Sequence, residues 1–304
     1  MGRRDSGGEN WAVERDDDQL ECMAQTLDES NDYRVLRRLV PRAVINPADG
    51  TPTRIGLFVD VETTGLESST DEVIELAMVP FTFGMDGRIF EVGRPFQQLS
   101  QPLRSLRKEI QQLTGLTSSE LAGQQIDLFE VADFASQADL IVAHHAQFDR
   151  PFLERLSPVF RQKPWACSMS QIGWREFGFE STKLEYLALK SGFFFDGHRA
   201  AFDCFAGIEL LAGRVGDATG MSHLLKNALS TSWRIGVTGS PFEANAVLRE
   251  RGYKWVPGAA KRRWEIEVDE IGKAAELLFM KSERFRKSAV SVEQVSPFDR
   301  FSAR

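Results

Sequence analysis

The sequence lacks the features that mark secreted, disulfide-built or membrane-spanning proteins. Its three cysteines, Cys22, Cys167 and Cys204, are an odd number without C-x-x-C spacing, which excludes a disulfide framework and a zinc-thiolate site. They read as reduced, partly buried thiols. No apolar run approaches the ~20 residues of a membrane span, and the longest, such as Leu140–Ala143 and Leu184–Leu189, are short. The N-terminus has no apolar core of a secretory signal, so the cytosol is the expected compartment. No internal repeat is present. What remains is a chain of 304 residues, 42% hydrophobic, enough for one large domain or two smaller ones.

The net charge of −7 argues at first against a polyanionic partner. It is unevenly spread: residues 1–50 carry 7 Lys and Arg against 11 Asp and Glu, and residues 231–304 carry 14 against 10. An acidic middle still accepts phosphate when divalent cations reverse the local sign of a carboxylate cluster.

Five segments are expected. Residues 1–20 are Gly-rich and charged and read as a disordered leader. Residues 21–50 read as a helical extension, with Leu20, Met23, Leu27, Val35, Leu36 and Leu39 making a hairpin that Pro41 and Pro47 end. Residues 51–215 alternate strand and helix patterns: strands at Ile55–Val61 and Val73–Val79, then strand, turn and strand over residues 81–92, together an antiparallel meander. Leu140–Ala143 reads as a buried strand parallel to the first, and Thr182–Lys190 and Ala200–Leu211 as helices. Residues 230–285 read as a small α+β module: a strand at Trp233–Val237, a helix at Phe242–Arg251, a hairpin at Trp255–Val268 and a helix at Asp269–Leu278. It is small for independent stability and is expected to dock on the larger domain. Residues 286–304 read as a flexible polar tail.

The run Phe58-Val59-Asp60-Val61-Glu62-Thr63-Thr64-Gly65-Leu66 ends an apolar strand with two carboxylates on one face. Side by side they repel, an arrangement that makes sense chiefly when divalent cations sit between them and a substrate. The bland reading is a solvated strand end before a turn. Two further acids complete the set. His144-His145-Ala146-Gln147-Phe148-Asp149 follows the buried strand, which delivers Asp149 to its carboxyl end, where open α/β sheets collect their sites. Gly197-His198-Arg199-Ala200-Ala201-Phe202-Asp203 places a histidine on the loop entering a helix and an acid just over one turn inside it. Four acids and a histidine suit two-metal phosphodiester hydrolysis, with two ions ~4 Å apart. Hard oxygen donors favour Mg²⁺ or Mn²⁺ over zinc, and a neutral imidazole, with an ordinary pKa of ~6.5, can take the proton of an attacking water.

In order and separation these motifs resemble the DEDDh 3′-to-5′ exonucleases, which include polymerase proofreading subunits, RNase T and oligoribonuclease. The similarity covers residues 54–213, with support from Asp71–Ala77, Leu113-Thr114-Gly115-Leu116-Thr117, Cys167-Ser168-Met169 and Leu184–Ala188. It implies an RNase H-like mixed sheet with flanking helices, and two Mg²⁺ or Mn²⁺ ions held by Asp60, Glu62, Asp149 and Asp203. Asp60 would bridge both ions, and Glu62 and Asp203 would hold the one that binds the attacking water. His198 would be the general base. Thr63, Gly65 and Leu66 would hold the terminal nucleotide, with Leu66 wedged against its base and Phe148 lining the pocket. His145 stands where the family usually has asparagine, which leaves its substrate contacts open. The implied activity is release of nucleoside 5′-monophosphates from DNA 3′ ends; the alternatives are an exoribonuclease on short RNA or RNA tails, and a non-catalytic nucleic-acid-binding or polymerase-associated subunit. The implied partners are single-stranded nucleic acid, a DNA polymerase and a second copy of the chain; no clamp-binding peptide stands out.

Each residue alone has a plainer role: His198 as a helix cap, His144 satisfied by backbone, His145 and His223 exposed, Glu72 and Glu75 solvated or capping. Trp165, Trp174 and Phe193-Phe194-Phe195 read as packing. In the small module, Tyr253-Lys254-Trp255 and Lys261-Arg262-Arg263-Trp264 interleave aromatics with cations, either as a nucleic-acid surface or as core tryptophans beside a solvated turn.

Overall fold

A computed structural model describes residues 17–256 and 262–302. Helix α1 (Asp17–Asp28) opens it, followed by a turn and irregular chain to the first long strand. The central sheet comprises β1 (Thr53–Thr63), β2 (Val73–Gly84), β3 (Ile89–Val92), β4 (Phe96–Leu99), β5 (Leu140–Ala143) and β6 (Trp165–Cys167). Its order is β3-β2-β1-β5-β6, with β4 also on β2. β1 and β2 pair antiparallel over their whole length, and β5 joins β1, and β6 joins β5, in parallel. Helices α2 (Leu128–Ser136) and α3 (Ala146–Leu156) lie on one face, and α4 (Leu184–Lys190), α5 (Ala200–Ala212) and α6 (Gly220–Ala228) on the other. This is the RNase H-like mixed sheet with flanking helices.

Alternation along β1 divides the core. Leu57, Val59 and Val61 pack with Val131, Phe152 and Trp165 on the α2/α3 side, and Phe58 packs with Ala206, Leu210 and Leu224 on the other. Trp165 and Trp174 are buried, as packing requires. The segments Val73–Val79 and Phe81–Phe83 form one strand, although Pro80 interrupts them. The N–H and C=O of a strand residue point the same way. The Pro80 carbonyl accepts Gly93 N at 2.7 Å on the outer side, where β4 gives way to β3, so the missing N–H costs no bond to β1.

The small module forms a second sheet from β7 (Ser232–Thr238), β8 (Lys254–Val256), β9 (Arg263–Val268) and β10 (Ala289–Val295), in the order β8-β9-β7-β10. Helices α7 (Asn245–Glu250) and α8 (Glu270–Met280) contribute to its own core with Ile235, Val237, Leu248, Tyr253, Trp264 and Met280.

Two sequence expectations are corrected. The helical hairpin over residues 21–50 has only its first arm. Arg37 and Arg38 instead pair in parallel with Phe193 and Phe194, and Arg34 donates to Leu189 O and Lys190 O at 2.7 and 2.6 Å, capping α4. The second arm therefore finds its backbone partners on the larger domain. The tail from Arg286 is not loose either: β10 pairs with β7 along its length, and residues beyond it fold back on the larger domain. Two smaller ones follow. Cys22 is exposed, while Cys167 and Cys204 are buried, and His223 bonds Val215 O at 2.8 Å rather than facing solvent freely. Of the expected disordered leader, residues 1–16 lie outside the described residues, as does Lys261, whereas residues 17–20 are not disordered but form the first turn of α1.

Candidate active site

Phe58, Asp60 and Glu62 share one face of β1, and α5 covers it. The approach is close because Gly207 has no side chain: a Cβ there would lie 2.1 Å from Phe58 Cζ. Asp203 is one turn before Gly207, so the packing that seats Gly207 on Phe58 seats Asp203 beside Asp60. Carboxylate oxygens of Asp60, Glu62 and Asp203 lie within 4.8 Å of one another.

Asp149 enters from the other side, in the first turn of α3, directly after β5. It is buried, at 2% exposure, and its carboxylate accepts the Val61 amide, between Asp60 and Glu62. It is not among the three acids within 4.8 Å, but its charge reaches them. Burial pushes Asp149 up to about 8, against hydrogen bonds that favour its charged form. Burial and then Asp203, Glu75 and Asp149 push Glu62 to about 8; burial and Glu185 take Asp203 to about 7. Asp60 is raised well above the carboxylate range, first by burial and then by Asp203, Asp149 and Glu62.

His198 lies outside the acid cluster. Its Nε2 stands 3.4 Å from Glu185 Oε1, and its φ of 63° is the left-handed region, unfavourable for a residue with a Cβ. The Asp203 carboxylate accepts the Arg199 amide at 3.1 Å and the His198 amide, which ties the loop to the helix.

The expected nucleotide-binding residues come together. A bulge after Glu62 turns the chain at Thr63, whose Oγ1 donates to Gly65 O at 2.6 Å. Glycine at position 65 leaves room for the Asp71 carboxylate, which a Cβ would meet at 2.5 Å and displace. Asp71 accepts Glu67 N, Arg155 donates to Ser68 O and Asp71 O, and Arg107 donates to Thr64 O at 2.8 Å. This stapled loop leaves Leu66 81% exposed, over a cleft of about 160 Å³ shared with Ser68, His145, Gln147, Phe148, Pro151 and Phe152. The His145 and Phe148 rings stack at 5.9 Å. A larger cavity, about 450 Å³ and lined by Ile55, Leu57, Pro80 and Phe134, sits at the opposite end of β1, away from the acids.

Glu75, read as solvated or capping, is not solvated; it accepts the first amide of α5. It is fully buried, opposite Glu62 in the β1/β2 register, and accepts from Gln97 Nε2 at 2.5 Å, from Arg199 at 3.2 Å and from Ala200 N at 3.3 Å. The signal was a lone acid inside the apolar strand Val73-Ile74-Glu75-Leu76-Ala77. Arg199, between Glu75 and the cluster, eases the charge of Glu62. His144 is satisfied by Ser168 Oγ at 2.9 Å and Thr182 O at 2.8 Å, and burial lowers its pKa to about 4.

An RNase H-like sheet with acids gathered at the end of its central strand defines a class of nuclease folds. Residues 57–211, half of the chain, match the RNase T exonuclease family, and the chain belongs to that family. It is 32% identical over 171 residues to the PolC-type DNA polymerase III of Bacillus subtilis, which covers 52% of this chain and 11% of that one. It is 29% identical over 160 residues to the DNA polymerase III epsilon subunit of Treponema pallidum, covering 50% and 72%. The chain therefore spans about a tenth of its PolC-type relative. Among solved structures it is similar to exonuclease I of Methylocaldum szegediense, with a TM-score of 0.48 and 13% identity over 77% of this chain and 69% of that one.

Proposed function

We propose that this chain is a 3′-to-5′ exonuclease that releases nucleoside 5′-monophosphates from DNA ends. The observation that carries the reading is the meeting of Asp60, Glu62 and Asp203, with Asp149 buried beside them and every pKa raised. Such crowding is unfavourable for the chain alone and favourable around a hard divalent cation. The donors fit Mg²⁺ or Mn²⁺: they are carboxylate oxygens, and Cys204, beside Asp203, is a buried thiol with its pKa raised, no thiolate ligand.

Asp60, Glu62, Asp149 and Asp203 would hold two such ions. When bound, the ions supply an activated water and charge stabilisation of the phosphoryl oxygens. The chain's residues do the rest. Thr63, Gly65 and Leu66 orient the terminal nucleotide, and Phe148 and His145 close the other side of the cleft. His198, on a loop tied to Asp203, would accept a proton from the attacking water once turned away from Glu185. Its imidazole is partly exposed and, among the described residues, held only by the 3.4 Å contact to Glu185, which such a turn would break.

DNA is favoured over RNA by similarity to the epsilon subunit and PolC-type polymerase, which also supports a DNA polymerase as partner. The test is hydrolysis of matched 5′-labelled single-stranded DNA and RNA, with and without Mg²⁺ or Mn²⁺, by the native chain and Asp60→Asn. A metal-dependent ladder descending from the DNA 3′ end, absent in the variant, is expected. A faster RNA ladder would assign an exoribonuclease; binding without cleavage would assign a non-catalytic subunit.

A further inference from the structure

Alternation sorts the side chains of the small sheet into two unlike faces. Trp233, Ile235 and Val237 on β7 stand with Val268, Ile266 and Trp264 on β9, on the face that α7 and α8 cover. The other face carries Arg234 on β7, Arg263, Glu265 and Glu267 on β9, and Lys254 on β8 opposite Glu265.

That polar face is turned toward the exonuclease domain. Glu267 accepts Ser232 Oγ at 2.5 Å and Arg300 Nε at 3.0 Å. The backbone carbonyl of Arg300 accepts Arg150 Nη1 at 2.6 Å, from the residue after Asp149 on α3. The sheet is thus fixed to α3, the helix that His145 precedes. Lys254, exposed on the outer strand of the same face, bears electrostatically on the His145 imidazole, whose basicity burial and that charge both lower. Glu265 and Glu267 are each engaged by an arginine, Arg263 and Arg300. Among the described residues no carboxylate pairs with the Lys254 ammonium, which is open to an incoming anion.

The cleft at Leu66, His145 and Phe148 is only about 160 Å³, so most of a bound strand must lie outside it. We propose that the polar face of the small sheet, led by Lys254, is the second wall of the substrate path and binds phosphates of single-stranded DNA upstream of the terminal nucleotide. This rests on the exonuclease reading of the neighbouring site. The occupant follows from charge and continuity: the face carries Arg234, Arg263 and Lys254 against Glu265 and Glu267, and its sheet is tied through Arg300 to Arg150 on the helix whose first turn bears Phe148 and Asp149. The wall would add affinity for length and none for sequence.

The full chain would be titrated with 5′-fluorescein dT2 and dT12, read by anisotropy across a salt series, for the native protein, Lys254→Glu and Lys254→Arg. Lys254→Glu should weaken dT12 about tenfold, leave dT2 within about twofold, and lower the salt slope by ~0.7 for the lost phosphate contact. Lys254→Arg should keep native binding. Unchanged dT12 affinity in Lys254→Glu, or equal weakening of dT2 and dT12, would overturn the wall. The native chain is also assayed for cleavage of dT12 with Mg²⁺: Lys254-dependent binding without cleavage removes the exonuclease and keeps the wall. Cleavage with Lys254-independent binding does the reverse.

Discussion

Asp60, Glu62, Asp149 and Asp203 are placed against their own electrostatics, and this gives the metal-free protein an unusual pH dependence. In the unfolded chain these acids titrate near ~4, whereas in the fold Glu62 and Asp149 reach about 8 and Asp203 about 7. Between those limits the folded state binds more protons than the unfolded one, so stability falls as pH rises. Without divalent cation, the melting temperature should drop from pH 5.5 to pH 8.5. Asp60→Asn, which removes one charge without changing shape, should flatten that drop and melt higher than the native chain at pH 8.5, by roughly 2–4 °C per ~1 kcal/mol relieved. Mg²⁺ should raise the native melting point more at pH 8.5 than at pH 5.5. Calorimetry with and without chelator reads all three, and a melting point that climbs with pH in chelator would contradict the placement of the acids. Glu75 is a different case, since its partners are already present. Glu75→Ala leaves Arg199 and the Ala200 amide without their acceptor and should cost about 1.5–3 kcal/mol, with a fall in kcat larger than any rise in KM because the start of α5, and hence Asp203, shifts.

At the scale of elements, the site is a consequence of how closely α5 lies on β1. Gly207→Ala would drive a methyl into the Phe58 ring, and the overpacking should cost about 1–3 kcal/mol. Because Asp203 rides on the same helix, the exonuclease rate should fall by more than stability alone explains, and Phe58→Leu should rescue part of both; a Gly207→Ala protein with native rate and melting point would show that the approach does not set the site. The same elements show what was legible in the sequence. Strand alternation put Asp60 and Glu62 on one face, and the strand-to-helix step after Ala143 put Asp149 beside them, because both depend on local periodicity. Glu75 was read as solvated or capping: it does accept the first amide of α5, but its burial depends on the register that sets it opposite Glu62, a long-range fact. The second arm of the N-terminal hairpin failed for the same reason: its apolar spacing was helical, but Arg34 and residues 37–38 found backbone partners about 155 residues away.

On the scale of the whole molecule, the segment after β10 joins the two sheets. Its polar composition reads as a tail, yet Arg150, fully buried, donates to Arg300 O and Phe298 O at 2.6 Å each and stacks on Trp165. Arg300 itself is buried and donates to Ala228 O, Ser230 O, Ser232 Oγ and Glu267, so one side chain ties the end of α6, the first residue of β7 and β9. Trp165 N also donates to Pro297 O at 2.8 Å, extending the edge of the central sheet. Removing residues 296–304 would therefore act on α3 without removing Asp60, Glu62, Asp149 or Asp203. Arg150 would keep Glu154, at 2.7 Å, but lose both carbonyls, and a buried guanidinium short of partners is costly. The truncated chain should melt several degrees lower and lose activity, because Asp149 precedes Arg150 on the same helix. Arg300→Ala keeps the carbonyl that Arg150 uses but releases the small sheet, so it should separate the two effects: near-native hydrolysis of a dinucleotide, with weaker binding of long strands as the wall around Lys254 drifts from the cleft. Dinucleotide hydrolysis reduced as far in Arg300→Ala as in the truncation would mean that the segment supports α3 alone and does not hold the small sheet in register with the site.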